Sequence, residues 1–209
     1  MRKLAVATFL GLSLVAVPSQ AHNDTVATSR DGQSMVDPNS AVTIGGPFTM
    51  TDSNNRTVTD KTFLGKYMLL FFGFTSCPDV CPTEMQNVIN ALDILGTAGS
   101  DIVPVLVTVD PERDTPEVMA KYIRQFSERF IGLTGTKDQI AQIAKVYRVY
   151  YGRVEAEEVP PEHRTGSYAM DHSSFLYLMG PDGQFRQVFR SDLDGTTLAD
   201  RLRAMLSRP

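Results

Sequence analysis

The sequence predicts an α/β domain in which a mixed β-sheet is covered by helices on both faces. Two apolar runs, at residues 67–74 and 102–109, have the length of strands and no polar alternation, which is typical of central strands buried on both faces. Segments with apolar residues at helical spacing follow each run, and such alternation favours a sheet that packs between helices. An apolar content of 42%, with 11 Phe and 7 Tyr among 209 residues, is sufficient for one hydrophobic core.

The first part of this domain is predicted to be a β-hairpin, the first buried strand and a helix. Residues 48–52 and 56–59 flank Ser53-Asn54-Asn55, whose composition is typical of a turn. The helix is predicted over residues 82–95, with Pro82 near the first helical position, where its missing N–H costs nothing. The hairpin is therefore an addition to the N-terminal edge of the α/β unit.

The second part is predicted to alternate between helices and strands and to end with a hairpin and a helix. Asp114 and Thr115 are expected to order a turn that starts a helix running to about Arg129. The remaining elements are a strand at 130–133, a helix at 136–147, a strand at 149–154 that could pair across a charged loop at 155–166, hairpin strands at 174–179 and 184–189, and a helix at 196–206.

The N-terminal segment is not predicted to belong to the fold. Residues 1–21 have the basic start, apolar run and small residues before a cut after Ala21 that are typical of a secretory signal peptide. The apolar run of 14 residues is shorter than the roughly 20 needed to cross a bilayer, although retention as an anchor is the alternative. Residues 22–40 predict a flexible leader, and 41–209 the folded domain. We therefore expect a periplasmic or otherwise exported protein, without membrane attachment if the signal is cleaved.

Charge and cysteine content exclude several classes of function. The net charge of −4 argues against nucleic-acid binding, which depends on clustered Lys and Arg. Cleavage after Ala21 removes two basic residues, Arg2 and Lys3, and no acidic ones, so the mature chain carries 18 basic and 24 acidic side chains, a net charge of −6. Two cysteines are too few for a disulfide scaffold or a four-cysteine zinc site.

The two cysteines lie where the first buried strand gives way to a helix. Three residues separate Cys77 from Cys81, so their sulfurs can converge on one ion or on each other. The start of a helix lowers the pKa of a nearby thiol, and two thiolates suit Cu(I) or Zn. The pair is therefore interpreted as a redox or soft-metal site, with an inert small-loop disulfide as the alternative. In an oxidising compartment, a pair that works as thiols requires a thiol reductant.

Four other residues are weaker candidates for the same site. His172 stands immediately before an apolar strand. A histidine in such a position is usually a surface residue or a hydrogen-bonding one, and metal ligation is the alternative. Asp171 could support the imidazole, although adjacent side chains on a strand point to opposite faces. Asp110 follows the second buried strand and could accept a hydrogen bond near a metal or order the next turn. Asp79, between the cysteines, is a further candidate for supporting the site.

Three segments together carry a resemblance to a known family: Phe71–Pro82, Val109–Pro116 and Asp171–Ser173. They resemble the SCO/SenC family of copper-handling proteins with a thioredoxin fold. The resemblance implies a thioredoxin-like domain that binds one copper ion through two cysteines and one histidine, at Cys77, Cys81 and His172. It also implies delivery of copper to the dinuclear copper centre of cytochrome c oxidase subunit II, or reduction of that subunit's cysteines. The partner is therefore expected to be this subunit or another copper-accepting protein. Family members are often tethered to a membrane, whereas this chain is predicted to be released.

Two hypotheses of different class follow, and the sequence does not separate them. The first is a copper metallochaperone, because Cu(I) suits two thiolates and an imidazole and Cu(II) tolerates an added oxygen ligand. Met170 offers a further soft thioether, although Met is more often packing material. The second is a thiol–disulfide oxidoreductase that reduces a partner's cysteines. A peroxidase and a disulfide-stapled binding domain are more distant alternatives.

Overall fold

The computed structural model describes residues 43–161 and 166–207. The predicted signal peptide at 1–21 and leader at 22–40 lie outside these ranges, as does His163. Within the described part of the chain, no helix is long and apolar enough to cross a membrane.

Nine strands and four α-helices form the described structure. In chain order they are β1 (Thr49–Asp52), β2 (Thr57–Thr59), β3 (Tyr67–Gly73), α1 (Val80–Leu95), β4 (Ile102–Thr108), α2 (Pro116–Ile123), β5 (Ile131–Thr134), α3 (Lys137–Tyr147), β6 (Tyr151–Glu155), β7 (Tyr168–His172), β8 (Phe175–Met179), β9 (Phe185–Arg190) and α4 (Gly195–Leu206).

Seven of these strands form one mixed sheet in the order β2-β1-β5-β4-β3-β8-β9. The centre is parallel, with β3 paired to β4 and β4 to β5, whereas the outer pairs are antiparallel. The N-terminal hairpin extends this sheet because β1 pairs with β5. The mixed sheet and its hairpin confirm the predicted fold class.

The core consists of two apolar layers, one on each face of the sheet. Leu69 and Phe71 of β3 pack with the apolar faces of α1, α2 and α4 on one side. Leu70 and Phe72 pack with α3 and the N-terminal hairpin on the other. Because successive side chains of a strand point to opposite faces, the uninterrupted apolar run of β3 supplies both layers.

Two predicted helix boundaries are wrong. The first helix begins at Val80 rather than near 82, so Cys81 lies inside its first turn. Pro82 is still tolerated there, because the first four N–H groups of a helix have no intrahelical acceptor. The second helix ends at Ile123 rather than near Arg129, since the chain turns through bonds from Gln125 N to Tyr122 O and from Phe126 N to Ile123 O.

A separate two-stranded sheet projects from the domain. β6 overlaps the strand predicted at 149–154. It pairs with β7 across the charged loop, as predicted for that strand. β7 itself was not predicted as a strand, and it carries His172 at its C-terminal end, paired with Tyr151. Neither strand pairs with the seven-stranded sheet, but only Ser173 and Ser174 separate the end of β7 from β8 of that sheet.

Candidate metal-binding and redox site

The site begins where the two central parallel strands end side by side. Gly73 at the end of β3 is paired with Thr108 at the end of β4, and Val109 N donates to Gly73 O at 2.8 Å. The loop at 74–79, which carries Cys77 and leads to Cys81 in the first turn of α1, is called the cysteine loop; it and the loop at 109–115 are therefore neighbours. Chemistry in sheets with parallel strands gathers at such carboxyl ends.

The sulfur of Cys77 replaces a side-chain cap at the start of α1. Asp79 is the N-cap residue but makes no capping bond, whereas Cys81 N donates to Cys77 Sγ at 3.5 Å. Hydrogen bonds from the Cys81 thiol and from the backbone N–H groups of Cys81 and Asp79 lower the pKa of Cys77 to about 6, against the opposing effect of burial. Cys77 is thus a thiolate at neutral pH in the reduced protein.

Cys81 is the opposite member of the pair. It is only 2% exposed, and both cysteines are free thiols. Its hydrogen bond to the Cys77 sulfur and its burial raise the pKa of Cys81 well above the usual range. One accessible thiolate beside one buried thiol is the asymmetry of a nucleophile and a resolving cysteine.

A glycine at the end of β3 makes room for Cys81. A Cβ at Gly73 would lie 2.9 Å from Cys81 Sγ and 3.2 Å from Leu106 Cδ1, closer than side chains tolerate. Any larger residue here would displace the thiol or the neighbouring strand. The close approach of strand and thiol therefore depends on the absence of a side chain at position 73.

Asp114 holds the cysteine loop from the neighbouring strand end. Its carboxylate accepts hydrogen bonds from Thr75 N at 3.0 Å, Thr75 Oγ1 at 2.5 Å and Thr108 Oγ1 at 2.6 Å. The residue is completely buried, and burial raises its pKa despite these bonds. Sequence reasoning gave Asp114 a role in ordering a turn and missed this contact, which joins residues 39 positions apart. Thr115 caps α2 as predicted, with its Oγ1 accepting from Val118 N.

His172, at the end of β7, lies beside the same cavity as Cys77. It lines an open cavity of about 370 Å³ together with Cys77. Its Nδ1 lies 3.1 Å from Ser173 O and, because a carbonyl only accepts, Nδ1 donates this bond. The imidazole also meets the Phe74 ring edge-on, with centroids 6.0 Å apart. With Nδ1 engaged, Nε2 is the ring nitrogen that remains for a metal.

The three predicted donors do not share one cavity: Cys77 and His172 line the larger one, and Cys81 does not. Across residues 43–161 and 166–207, no three Cys, His, Asp or Glu side chains are close enough together to hold a metal ion as they stand. His172 and Cys81 line a second, much smaller cavity. Coordination by all three predicted residues would therefore require a local movement of the imidazole or of a thiol.

The three aspartates proposed from the sequence differ in burial and in what they contact. Asp79 and Asp171 are exposed and lie on the rim of the larger cavity, together with Met170. Asp110 is almost fully buried and accepts a hydrogen bond from Tyr168 Oη at 2.8 Å and another from Arg113 Nε. Asp110 thus bonds β7 rather than a thiol.

A buried carboxyl that the sequence reasoning missed lies one turn after Cys81. Glu84 is 2% exposed, and within the described structure neither of its carboxyl oxygens has a hydrogen-bond partner. Burial, with a smaller contribution from Asp192, raises the pKa of Glu84 to about 8. It lies on the same helical stripe as Val88 and Ala91, and that spacing was the signal for its burial.

The fold and the site define a thioredoxin-like domain with a reactive thiol pair at the end of its central strand. A family model described as SCO1/SenC matches residues 36–207, and the chain belongs to this family. The mitochondrial SCO1 homolog of Homo sapiens is 42% identical over 148 residues, covering 70% of this chain and 47% of the human protein. The chain spans about half the length of the mammalian and plant relatives it matches.

Solved structures are similar over most of the described residues. Copper-bound ScoI of Arabidopsis thaliana is 38% identical with a TM-score of 0.72, covering 78% of this chain and 98% of that one. Copper-bound yeast Sco1 is 36% identical with a TM-score of 0.71, covering 80% and 90%. These matches confirm the thioredoxin-like fold, and copper is what those two proteins bind.

Proposed function

We propose that this protein is a copper metallochaperone that binds one copper ion through Cys77, Cys81 and His172. Its cargo would go to the dinuclear copper site of cytochrome c oxidase subunit II or to another copper-accepting protein. The observation that carries the proposal is a cavity lined by Cys77 and His172, with the Cys81 thiol hydrogen-bonded to the Cys77 sulfur. Family membership and the two copper-bound relatives support copper as the metal.

The chemistry of the donors fits copper in both oxidation states. Two thiolates and one imidazole suit Cu(I), and the open side of the cavity leaves room for the oxygen ligand that Cu(II) accepts. Cys77 supplies a thiolate at neutral pH, because its pKa is lowered to about 6 by hydrogen bonds from Cys81 and the backbone. Cys81 releases a proton when metal binds, so copper affinity falls in acid.

A second function, reduction of a partner's disulfide, is favoured by the asymmetry of the two thiols. In this reaction the Cys77 thiolate attacks one sulfur of a partner disulfide, which breaks the partner's S–S bond, forms a mixed disulfide and releases the other sulfur as a thiolate. Cys81 then loses its proton and displaces the partner's remaining thiolate, leaving a Cys77–Cys81 disulfide and a reduced partner. Two electrons pass to the partner, and an external thiol reductant must restore the pair. The two roles are compatible, since a thiol site accepts copper only when reduced.

Both proposed roles would be carried out in the compartment to which the protein is exported, where copper sites of exported proteins are assembled. The N-terminal pattern at 1–21 supports export to the periplasm or an equivalent space. There the cysteine pair is oxidised unless a reductant acts on it, which links the redox state of the pair to copper loading.

The test is an anaerobic Cu(I) competition titration of the reduced protein. We expect one copper ion per chain in the wild type and strong weakening in Cys77→Ser, Cys81→Ser and His172→Ala. His163→Ala, which removes a different histidine, controls for imidazole content. Normal affinity in the three site variants would refute the metallochaperone proposal.

The same variants separate the two functions. Reduction of an oxidised dithiol peptide requires both cysteines and not the imidazole, so His172→Ala is expected to lose copper affinity and keep peptide reduction. If His172→Ala keeps both activities, His172 is not a copper ligand; if the wild type reduces the peptide but binds no copper, the protein acts as a thiol reductase alone.

A further inference from the structure

The hairpin that carries His172 is fixed to the domain by a small polar cluster. β6 and β7 form no backbone ladder with the seven-stranded sheet. Tyr151 and Met170 pack against the core, but apolar packing is not directional. A connection of two residues to β8 holds the C-terminal end of β7, and directional contacts at its first residue, Tyr168, hold the other end.

Tyr168 is held by three separate contacts from the loop after β4. Its hydroxyl donates to Asp110 Oδ1 at 2.8 Å, and its carbonyl accepts from Arg113 Nη1 at 3.1 Å. The Arg113 guanidinium carbon also lies 3.9 Å from the ring centroid. Asp110 Oδ2 accepts from Arg113 Nε, so the two loop residues orient each other. We call Asp110, Arg113 and Tyr168 the Tyr168 cluster.

A second arginine completes the enclosure of the tyrosine ring. The guanidinium carbon of Arg153, on β6, also lies 3.9 Å from the Tyr168 centroid. Two guanidinium groups at that distance cannot occupy one face, so the ring is held between a residue of its own hairpin and one of the main domain. Such contacts add to the hydrogen bonds in fixing the ring.

The same loop also holds the thiol half of the site. Arg113 N and Asp114 N both donate to Asp110 O, which makes residues 110–114 a tight turn. Asp114 at the end of that turn binds the cysteine loop through Thr75. One rigid segment therefore contacts both the strand that carries the imidazole and the loop that carries the thiols.

We infer that the Tyr168 cluster positions His172 for copper by fixing the start of β7 relative to the cysteine loop. His172 is four residues after Tyr168, about 13 Å along an extended strand. The inference rests on the proposed copper-binding function. It makes Asp110, Arg113 and Tyr168 positioning residues whose side chains orient the imidazole through β7.

The test compares Tyr168→Phe and Asp110→Ala with wild type in anaerobic Cu(I) competition titrations. Loss of a group that orients a metal ligand typically weakens binding about 10- to 100-fold, and we expect that range here. Asp110→Asn, which keeps an acceptor for the tyrosine hydroxyl, is expected to lose less. Tyr177→Phe, which removes a hydroxyl from β8, is the matched control and is expected to bind normally.

A double-mutant cycle distinguishes positioning from general damage. In a His172→Ala background, Tyr168→Phe is expected to cause no further loss of copper affinity. The alkylation rate of Cys77 is expected to stay within about twofold of wild type, because the cluster does not touch the thiol. Hyperfine couplings of imidazole nitrogen to bound Cu(II) are expected to change in Tyr168→Phe and not in Tyr177→Phe.

Three results would overturn the inference. These are wild-type copper affinity in both Tyr168→Phe and Asp110→Ala, an undiminished loss in the His172→Ala background, or slowed alkylation of Cys77. If His172→Ala alone binds copper normally, the proposed ligand set is refuted, and copper affinity no longer tests the cluster. The cluster is then judged on the apo protein: faster amide exchange in residues 168–172 but not in 67–73 supports its positioning of β7, and unchanged exchange refutes it.

Discussion

Replacing Glu84 by glutamine is expected to remove a large pH dependence of stability. The buried carboxyl has a pKa raised from 4.5 to about 8 by burial and by Asp192. The folded protein therefore holds a proton that the unfolded chain releases above pH 4.5. Stability from this group is fully present below pH 4.5 and is lost as the pH rises towards 8.

The size of the effect follows from the pKa change. Each pH unit between the two pKa values costs about 1.4 kcal/mol of unfolding free energy. Between pH 5 and pH 8 the three units, less partial titration at both ends, amount to about 3 to 4 kcal/mol. Because Glu84 is only 2% exposed, solvent screening reduces this little.

The assay is urea unfolding of the reduced, copper-free protein at pH 5, 6, 7 and 8. The difference in unfolding free energy between Glu84→Gln and wild type is expected to change by about 3 to 4 kcal/mol across this range, in favour of the variant at high pH. Glu128→Gln, which removes an exposed carboxyl, controls for charge. Parallel profiles of wild type and Glu84→Gln would refute the argument and show that Glu84 is ionised in the folded state.

Three further predictions concern the thiol half of the site. The rate at which iodoacetamide alkylates Cys77, measured by peptide mass spectrometry, is expected to be half-maximal near pH 6. In Cys81→Ala this midpoint is expected to move to higher pH, since hydrogen bonds from Cys81 hold the pKa of Cys77 at about 6. Gly73→Ala is expected to destabilise the protein by about 1 to 3 kcal/mol in urea unfolding, because the new methyl group would crowd the Cys81 sulfur. Asp114→Asn turns one acceptor oxygen into a donor facing buried donors and is expected to cost about 1 to 3 kcal/mol and to raise the copper dissociation rate.

Each of these three predictions would be contradicted by a specific result. Alkylation with a midpoint near 9 would mean that the thiol is not stabilised as an anion. Wild-type stability of Gly73→Ala would mean that the strand end yields to a side chain at no cost. An Asp114→Asn protein with unchanged stability and unchanged copper release would mean that the cysteine loop does not depend on this carboxylate.

Strands and helices specified by local pattern were predictable, whereas contacts across long separations were not. The apolar runs of β3 and β4 and the Thr136 cap of α3 are each contained in a few consecutive residues. β7 was missed because it is short, polar at one end and paired with a strand on the far side of a charged loop. The hydrogen bond between Tyr168 and Asp110 joins residues 58 positions apart, and no local signal marks it.

The two halves of the site differ in how far sequence determines them, and the reason is structural. Parallel neighbours in a sheet end at the same edge, so two buried runs followed by Cys77 and by Asp110 already place the thiols beside the loop after β4. The imidazole lies on a strand outside the main sheet, although only two residues separate that strand from β8. Its position depends on this short connection and on side-chain contacts, among which the Tyr168 hydroxyl provides a directional one. A family member could therefore keep every cysteine and histidine and still lose copper affinity through a change at the residue equivalent to Tyr168.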